Sequence, residues 1–225
     1  MDNRQTRSSV AVRNEQPLPT ARHADLRSQR TRAFIKAALL ELAQTKSFDR
    51  ISVQEIARRA LVNRATFYRY YPDKYRLVEE IFKAALHKLA LEMGSPLVVQ
   101  EAADLARALG SVRIQQAWVN LFEHFAAHSR IYVAILTGKG GVWFQARMRE
   151  DLMQFFKGRI RGRTARPDPE QVPAQVARCF YASAIVGVVY WWLVGGLRHP
   201  PQKVATWFRQ IAYKGFIGSL AGLNQ

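Results

Sequence analysis

The feature that most restricts this chain is the stretch 52–71. Ser52 followed three residues later by Glu55 is a capping box, and Ile51 and Ile56 stand at the spacing of the hydrophobic staple that fixes how a chain enters a helix. The spacing predicts a short helix over 53–60, a turn at Leu61 and Val62, and a second short helix over about 64–71 with Asn63 as its N-cap. Pro72 then breaks the chain, and Asp73 caps a long helix that runs to about Met93. Upstream, Phe34, Ile35, Ala38, Leu39 and Leu42 recur at helical spacing, which predicts one buried face on a helix that starts near Ser28 and ends at 46–48. Two helices of about eight residues, joined by a turn of three or four and propped by a preceding helix, form a helix-turn-helix. Ala57 supplies a small residue where the short helices cross, and Ile56, Val62 and Phe67 are spaced to fill the gap between them.

The second short helix has a definite outer face. With Phe67 toward the core, a rotation of about 100° per residue points Ala65 and Arg69 most nearly outward, with Thr66 and Tyr68 on the flanks and Arg64 at the tip. A helix entering a major groove tip-first presents Arg64, Ala65 and Arg69 to base edges and Thr66, Tyr68 and Tyr70 to the phosphate walls. The arginine fork matches the two acceptors of guanine, and alanine lets the backbone approach and can touch a thymine methyl. Lys74 stands in the first turn of its helix, where the dipole disfavours a cation by up to about 1 kcal/mol. A phosphate shared by that helix N-terminus and Lys74 would account for it. The plainer alternative is a solvated face of arginines.

Composition agrees with a DNA-binding reading without proving it. The 225 residues are 48% apolar, enough for a core in one or two domains, and 9 Pro, 13 Gly and no long alternating run point to an all-α fold. The net charge of +17 calls for an anionic partner, nucleic acid ahead of anionic membrane. Residues 1–90 carry 18 of the 34 basic residues against 9 acids, so the positive charge is denser there but not confined to it. Residues 1–27, with Arg4, Arg7, Arg13, Arg22 and Arg27 among polar neighbours, read as a disordered basic arm. The N-terminus has no apolar segment of the secretory kind, and the single Cys179 suits a reducing compartment, so a cytoplasmic location is expected. Cys179 itself reads as a small buried apolar residue.

Gly94, Ser95 and Pro96 mark a boundary. Beyond it the pattern predicts helices over 99–109, 112–128, 130–137 and 142–160, an exposed basic loop over 157–169, and helices over 170–196 and 202–221 on either side of His199, Pro200 and Pro201. Residues 179–197 hold no charge, a length able in principle to cross a bilayer, with Tyr190, Trp191 and Trp192 as an interfacial belt. The competing reading is a helix buried on most sides, with Ala182, Ser183, Ala184 and Gly187 allowing close packing. The next helix then lies against it through Val204, Trp207, Phe208, Ile211 and Gly215. Two such helices from each of two copies make a four-helix dimer interface, assigned to Phe180, Ser183, Gly187, Trp191, Trp207, Phe208 and Ile211. Trp118, Phe122, Phe125, Tyr132, Trp143 and Phe144 are candidates to line an apolar effector cavity, against the plain reading of ordinary core. His124 and His128 stand at i, i+4 without a third ligand, Gly138, Lys139 and Gly140 lack the rest of a phosphate loop, and no nucleophile has a histidine and acid beside it. No catalytic site, metal or cofactor is expected.

The run Ser52-Val53-Gln54-Glu55-Ile56-Ala57, then Val62-Asn63-Arg64-Ala65-Thr66-Phe67-Tyr68-Arg69-Tyr70-Tyr71, then Asp73-Lys74 and Leu77, resembles the signature of the TetR family. The resemblance implies an all-α protein: an N-terminal three-helix DNA-binding domain over 28–75, after the arm at 1–27, and a C-terminal helical effector and dimerisation domain over 76–225. It implies a ligand-responsive transcriptional repressor that binds palindromic double-stranded operator DNA as a homodimer and is released by an unknown small molecule. It also implies phosphate contacts from Thr66, Tyr68, Tyr70 and Lys74 and base reading by Arg64, Ala65 and Arg69, and Ser52 is counted with the DNA-binding residues. The alternative is a membrane-associated or interaction protein without enzymatic activity. One departure stands out: the family usually has glycine where this chain has Leu61. Either Leu61 takes a left-handed conformation at roughly 1–2 kcal/mol, or the turn is shaped differently.

Overall fold

A computed structural model describes residues 19–95, 97–99, 111–162 and 174–221. In chain order it contains α1 (Pro19–Thr45), a 3-10 turn (Phe48–Arg50), α2 (Val53–Arg59), α3 (Arg64–Tyr70) and α4 (Lys74–Met93). There follow β1 (Leu97–Val99), α5 (Val112–Ala127), α6 (Ser129–Thr137), α7 (Gly141–Arg159), β2 (Ile160–Gly162), α8 (Ala174–Val194) and α9 (Pro201–Ala221). The fold is helical, as the periodicity predicts, with one small addition. β1 and β2 pair in parallel, Leu97 opposite Ile160 and Val99 opposite Gly162. Residues 157–162 of the predicted basic loop instead form the end of α7 and β2. Its remainder, and all but the first residue of the helix expected over 99–109, lie outside the described residues, as do residues 1–18 of the basic arm.

α1 starts at Pro19, nine residues before Ser28, so the last part of the presumed arm is helical. Proline is well placed at a first helical position. The residues after it are too polar to show a periodic apolar stripe. Ile35, Ala38 and Leu39 are buried with Phe48, Ile51, Ile56, Ala57 and Phe67 in the core of the N-terminal head. Phe34 departs from the expected stripe: it is 60% exposed and lies with Leu61 and Val62 along an open groove.

α4 belongs to both halves of the molecule. Its buried face holds Leu77, Val78, Ile81, Phe82, Ala85, Leu86 and Leu89, and it packs against α5 and α7. Glu79 on this face is 4% exposed. It accepts hydrogen bonds from Arg76 (2.7 Å) and Lys83 (2.6 Å) of α4 and from Arg147 (2.9 Å) of α7. Burial pushes its carboxyl up, but those three cations outweigh burial and hold it at about 2. The turn between α6 and α7 passes so close to α4 that a Cβ on Gly140 would lie 2.7 Å from the Tyr75 ring.

In the body, α8 packs mainly on α7 and α9 mainly on α5. α9 is thus not chiefly the neighbour of α8 that the sequence suggested, because its buried residues point elsewhere. Phe208 sits 5.4 Å from Trp118 and 6.3 Å from Phe122, ring to ring, inside the subunit. Cys179 also departs from expectation, being exposed on the side of α8 that bears the exposed Phe180. Among the described residues no helix is long and apolar enough to cross a membrane.

Candidate nucleic-acid interface

The head builds its two short helices from local chemistry. The Ser52 hydroxyl accepts from the Glu55 amide (3.2 Å) while the Glu55 carboxylate accepts from the Ser52 amide (2.9 Å), so the capping box is complete. Lys46 also pairs with Glu55, and its hydrogen bond, followed by those of Ser52, holds that carboxyl at about 2. The Ser52 hydroxyl thus works as a cap. Leu61 makes the turn with φ +55°, the left-handed choice, and is 93% exposed. The Val62 amide then donates to the Ala57 carbonyl at 3.0 Å. Asn63 caps α3 by accepting from the Thr66 amide at 2.6 Å.

α3 carries a buried Phe67 on one side and exposed Arg64, Ala65, Tyr68 and Arg69 on the other, with Thr66 and Tyr70 half-buried. This is the outward set that rotation about Phe67 predicts. The Arg64 guanidinium lies 5.3 Å from the centre of the Tyr68 ring, and that of Arg69 lies 5.1 Å from the centre of Tyr70. Tyr70 also carries Arg32 of α1, at 5.4 Å. Hydrogen bonding from Ser28 above all, and then from Arg69, holds the Tyr70 hydroxyl below the usual tyrosine value against the effect of burial.

Three glutamates are paired with cations outside α3. Glu41 pairs with Arg59, Glu55 with Lys46, and Glu80 with Arg32 and Lys36. Among the described residues no ion pair involves Arg64 or Arg69, and α3 has no acid of its own. The result is an outward face whose cations have no anionic partner among the described residues.

Lys74 is the correction. Its ammonium donates to the carbonyls of Phe48 (2.7 Å), Ile51 (2.9 Å) and Asp49 (3.1 Å), and it lies 4.5 Å from the centre of the Phe48 ring. Burial lowers its pKa. All three protons are spent on the 3-10 turn, so this side chain has none left for a phosphate.

The presumed effector residues are densely packed. Phe122 meets Trp192 at 5.6 Å, Phe125 meets Tyr132 at 4.9 Å, and Tyr132 meets Phe144 at 6.0 Å. Trp143 is only half-buried and stands edge-on to Tyr75 of α4, with the Arg76 guanidinium 5.2 Å from its centre. A cleft of about 370 Å³ lies elsewhere, between Leu40, Ala43 and Gln44 of α1 and the α5–α6 elbow. There Arg130 donates to the Gln44 carbonyl. The two histidines face each other at 4.7 Å, and the His124 ring shares a 2.9 Å hydrogen bond with the Tyr132 hydroxyl. Burial, helped by His128 and Lys88, holds His124 at about 4. No group of three potential metal ligands occurs among the described residues.

On the outside of the body, Phe180 (63% exposed), Trp191 (55%) and Ile211 (68%) form an open apolar face on α8 and α9. Gly187 is exposed there with open space where a Cβ would be. Ser183 and Trp207 are half-buried, whereas Phe208 is taken up by the subunit's own core.

Residues 35–81 match the profile of the bacterial regulatory proteins of the tetR family, and residues 113–214 match that of a TetR transcriptional regulator C-terminal region. The two segments together make up about two thirds of the chain. The chain belongs to the TetR family of transcriptional regulators. One relative is the uncharacterized HTH-type transcriptional regulator YdeS of Bacillus subtilis, 34% identical over 89 residues, or 38% of this chain and 45% of YdeS. The chain spans less than half the length of the curated relatives it matches. Among solved structures, the dihydroxyacetone kinase operon activator DhaS is 16% identical, with a TM-score of 0.54 over 83% of this chain and 96% of its own. Thermus thermophilus FadR, a TetR family repressor in complex with lauroyl-CoA, is 18% identical, with a TM-score of 0.53 over 82% and 94%. These two structures share the TetR fold with this chain.

Proposed function

We propose that this TetR-family regulator binds a two-fold symmetric operator as a homodimer and represses transcription until a small molecule releases it. The observation that carries this is the exposed, acid-free face of α3, where Arg64 and Arg69 have no anionic partner among the described residues. Arg64, Ala65 and Arg69 read base edges, while Thr66, Tyr68 and Tyr70 lie toward the phosphates. One recognition helix covers few base pairs. Two copies joined through Phe180, Ser183, Gly187, Trp191, Trp207 and Ile211 cover half-sites about one turn apart.

Selection of bound DNA from a random pool tests the reading, and a palindromic consensus is the expected result. Arg69→Ala then loses discrimination at defined base pairs, whereas failure to enrich any sequence rejects it. Repression is checked with a reporter behind the selected operator, whose output rises when the regulator is removed. Effector release draws support from the aromatic body and from the fold shared with FadR, which holds lauroyl-CoA. Because Trp118, Phe122, Phe125, Tyr132 and Phe144 are packed against one another, a ligand has to part them before it can lodge. A thermal-shift screen with acyl-CoA esters and other apolar compounds, followed by gel-shift, tests this step.

A further inference from the structure

Arg64 is held before any DNA arrives. Its Nη2 donates to the Tyr68 hydroxyl at 3.2 Å, and its guanidinium carbon stands 5.3 Å from the centre of the same ring. The two residues are four apart on α3, a spacing that sets one side chain over the other. The Tyr68 ring is braced in turn, standing edge-on at 5.7 Å and 88° to the fully buried Phe67. Its outer face is open, the residue being 44% exposed. The hydroxyl takes one Nη2–H, and the guanidinium keeps its remaining in-plane N–H donors at its edge. Those edge donors are the ones that match the two acceptors of guanine. A free arginine has to surrender its rotamers on binding, whereas one already held by a hydrogen bond and a ring contact has surrendered part of them.

We propose that Tyr68 is a positioning residue for sequence reading: it sets the plane of the Arg64 guanidinium and thereby the base preferred at the tip of the recognition helix. The proposal rests on the reading of Arg64 as a base contact, and it goes beyond a place for Tyr68 beside a phosphate. The opposite flank works differently. The Tyr70 ring already carries Arg32 as well as Arg69 and is tied to α1, so tertiary packing fixes it.

The test uses the full chain and the operator selected above, with every single-base variant of that operator. Affinities are measured for the parent, Tyr68→Phe, Tyr68→Ala, Arg64→Ala and the double variant Tyr68→Ala/Arg64→Ala. Tyr68→Ala is expected to lose about ten-fold discrimination at the base pairs where Arg64→Ala loses it. The double variant loses no more there than Arg64→Ala alone, because the two residues act as one unit. Tyr68→Phe keeps the ring face and retains most of the discrimination. Circular dichroism confirms unchanged helix content. A uniform loss across all sequences, equal in the Phe and Ala variants and accompanied by a shallower salt dependence, overturns the proposal in favour of a simple phosphate contact. If Arg64→Ala leaves every preference unchanged, the base-reading assignment falls first, and the positioning role falls with it.

Discussion

Leu61 and Lys74 each solve a local problem in a costly way. A leucine at φ +55° carries roughly 1–2 kcal/mol of left-handed strain, and at 93% exposure it recovers nothing by packing within the subunit. Glycine would lose roughly 0.5–1 kcal/mol through its greater freedom when unfolded. The strain outweighs that loss, so Leu61→Gly is expected to raise stability by about 0.5 kcal/mol, readable as a higher urea midpoint with unchanged slope. Lys74→Met keeps the stem but removes the ammonium from the Asp49 and Ile51 carbonyls, while the Phe48 carbonyl keeps the Ile51 amide, and is expected to cost about 1–3 kcal/mol. Its operator binding should keep the parent's salt dependence, whereas losing a true phosphate contact lowers that slope by about one. The sequence exposed Lys74 as an anomaly, a cation at the positive end of a helix. It gave no hint of what satisfied it, because Phe48, Asp49 and Ile51 are brought there only by tertiary folding.

Helices were legible where their signals are local. The capping box at Ser52 and Glu55, the Asn63 cap and the Asp73 cap each act within three residues, and α2, α3 and α4 start where those residues place them. The early start of α1 was hidden by its polar first turns, and the pairing of β1 with β2 and of α9 with α5 joins segments far apart in sequence. The same distinction governs Glu79, an ordinary helical glutamate in sequence that becomes a buried tie between α4 and α7. Glu79→Gln is expected to cost about 1–3 kcal/mol, since Arg76, Lys83 and Arg147 lose their shared carboxylate but stay partly solvated. Its pH signature follows from a carboxyl lowered from 4.5 to about 2. The stabilisation is fully present above pH 4.5 and fades as pH falls toward 2. Acid titration of the parent should therefore show a loss over that window that the Gln variant lacks.

At the scale of the whole molecule, the open apolar face on α8 and α9 is the surface that the proposed homodimer covers. Changing Trp191, 55% exposed, to Glu should leave the subunit folded. It should also shift sedimentation toward the monomer and weaken operator binding by roughly a hundred-fold. A monomeric variant that binds the palindrome like its parent would refute the paired-head arrangement. The sequence marked this face by composition but misassigned Phe208 to it, because one stripe of α9 serves both the subunit core and the outside. α1 adds a mechanical consequence. Its 27 residues form an unbroken rod about 40 Å long, linked near its C-terminal end to the body through Gln44 and Arg130. A lever of that length magnifies small rotations: ten degrees about the Thr45 end sweeps the far tip through ~7 Å, about two base-pair steps. In the proposed operator complex, a barely visible adjustment beside Gln44 would be magnified along this rod.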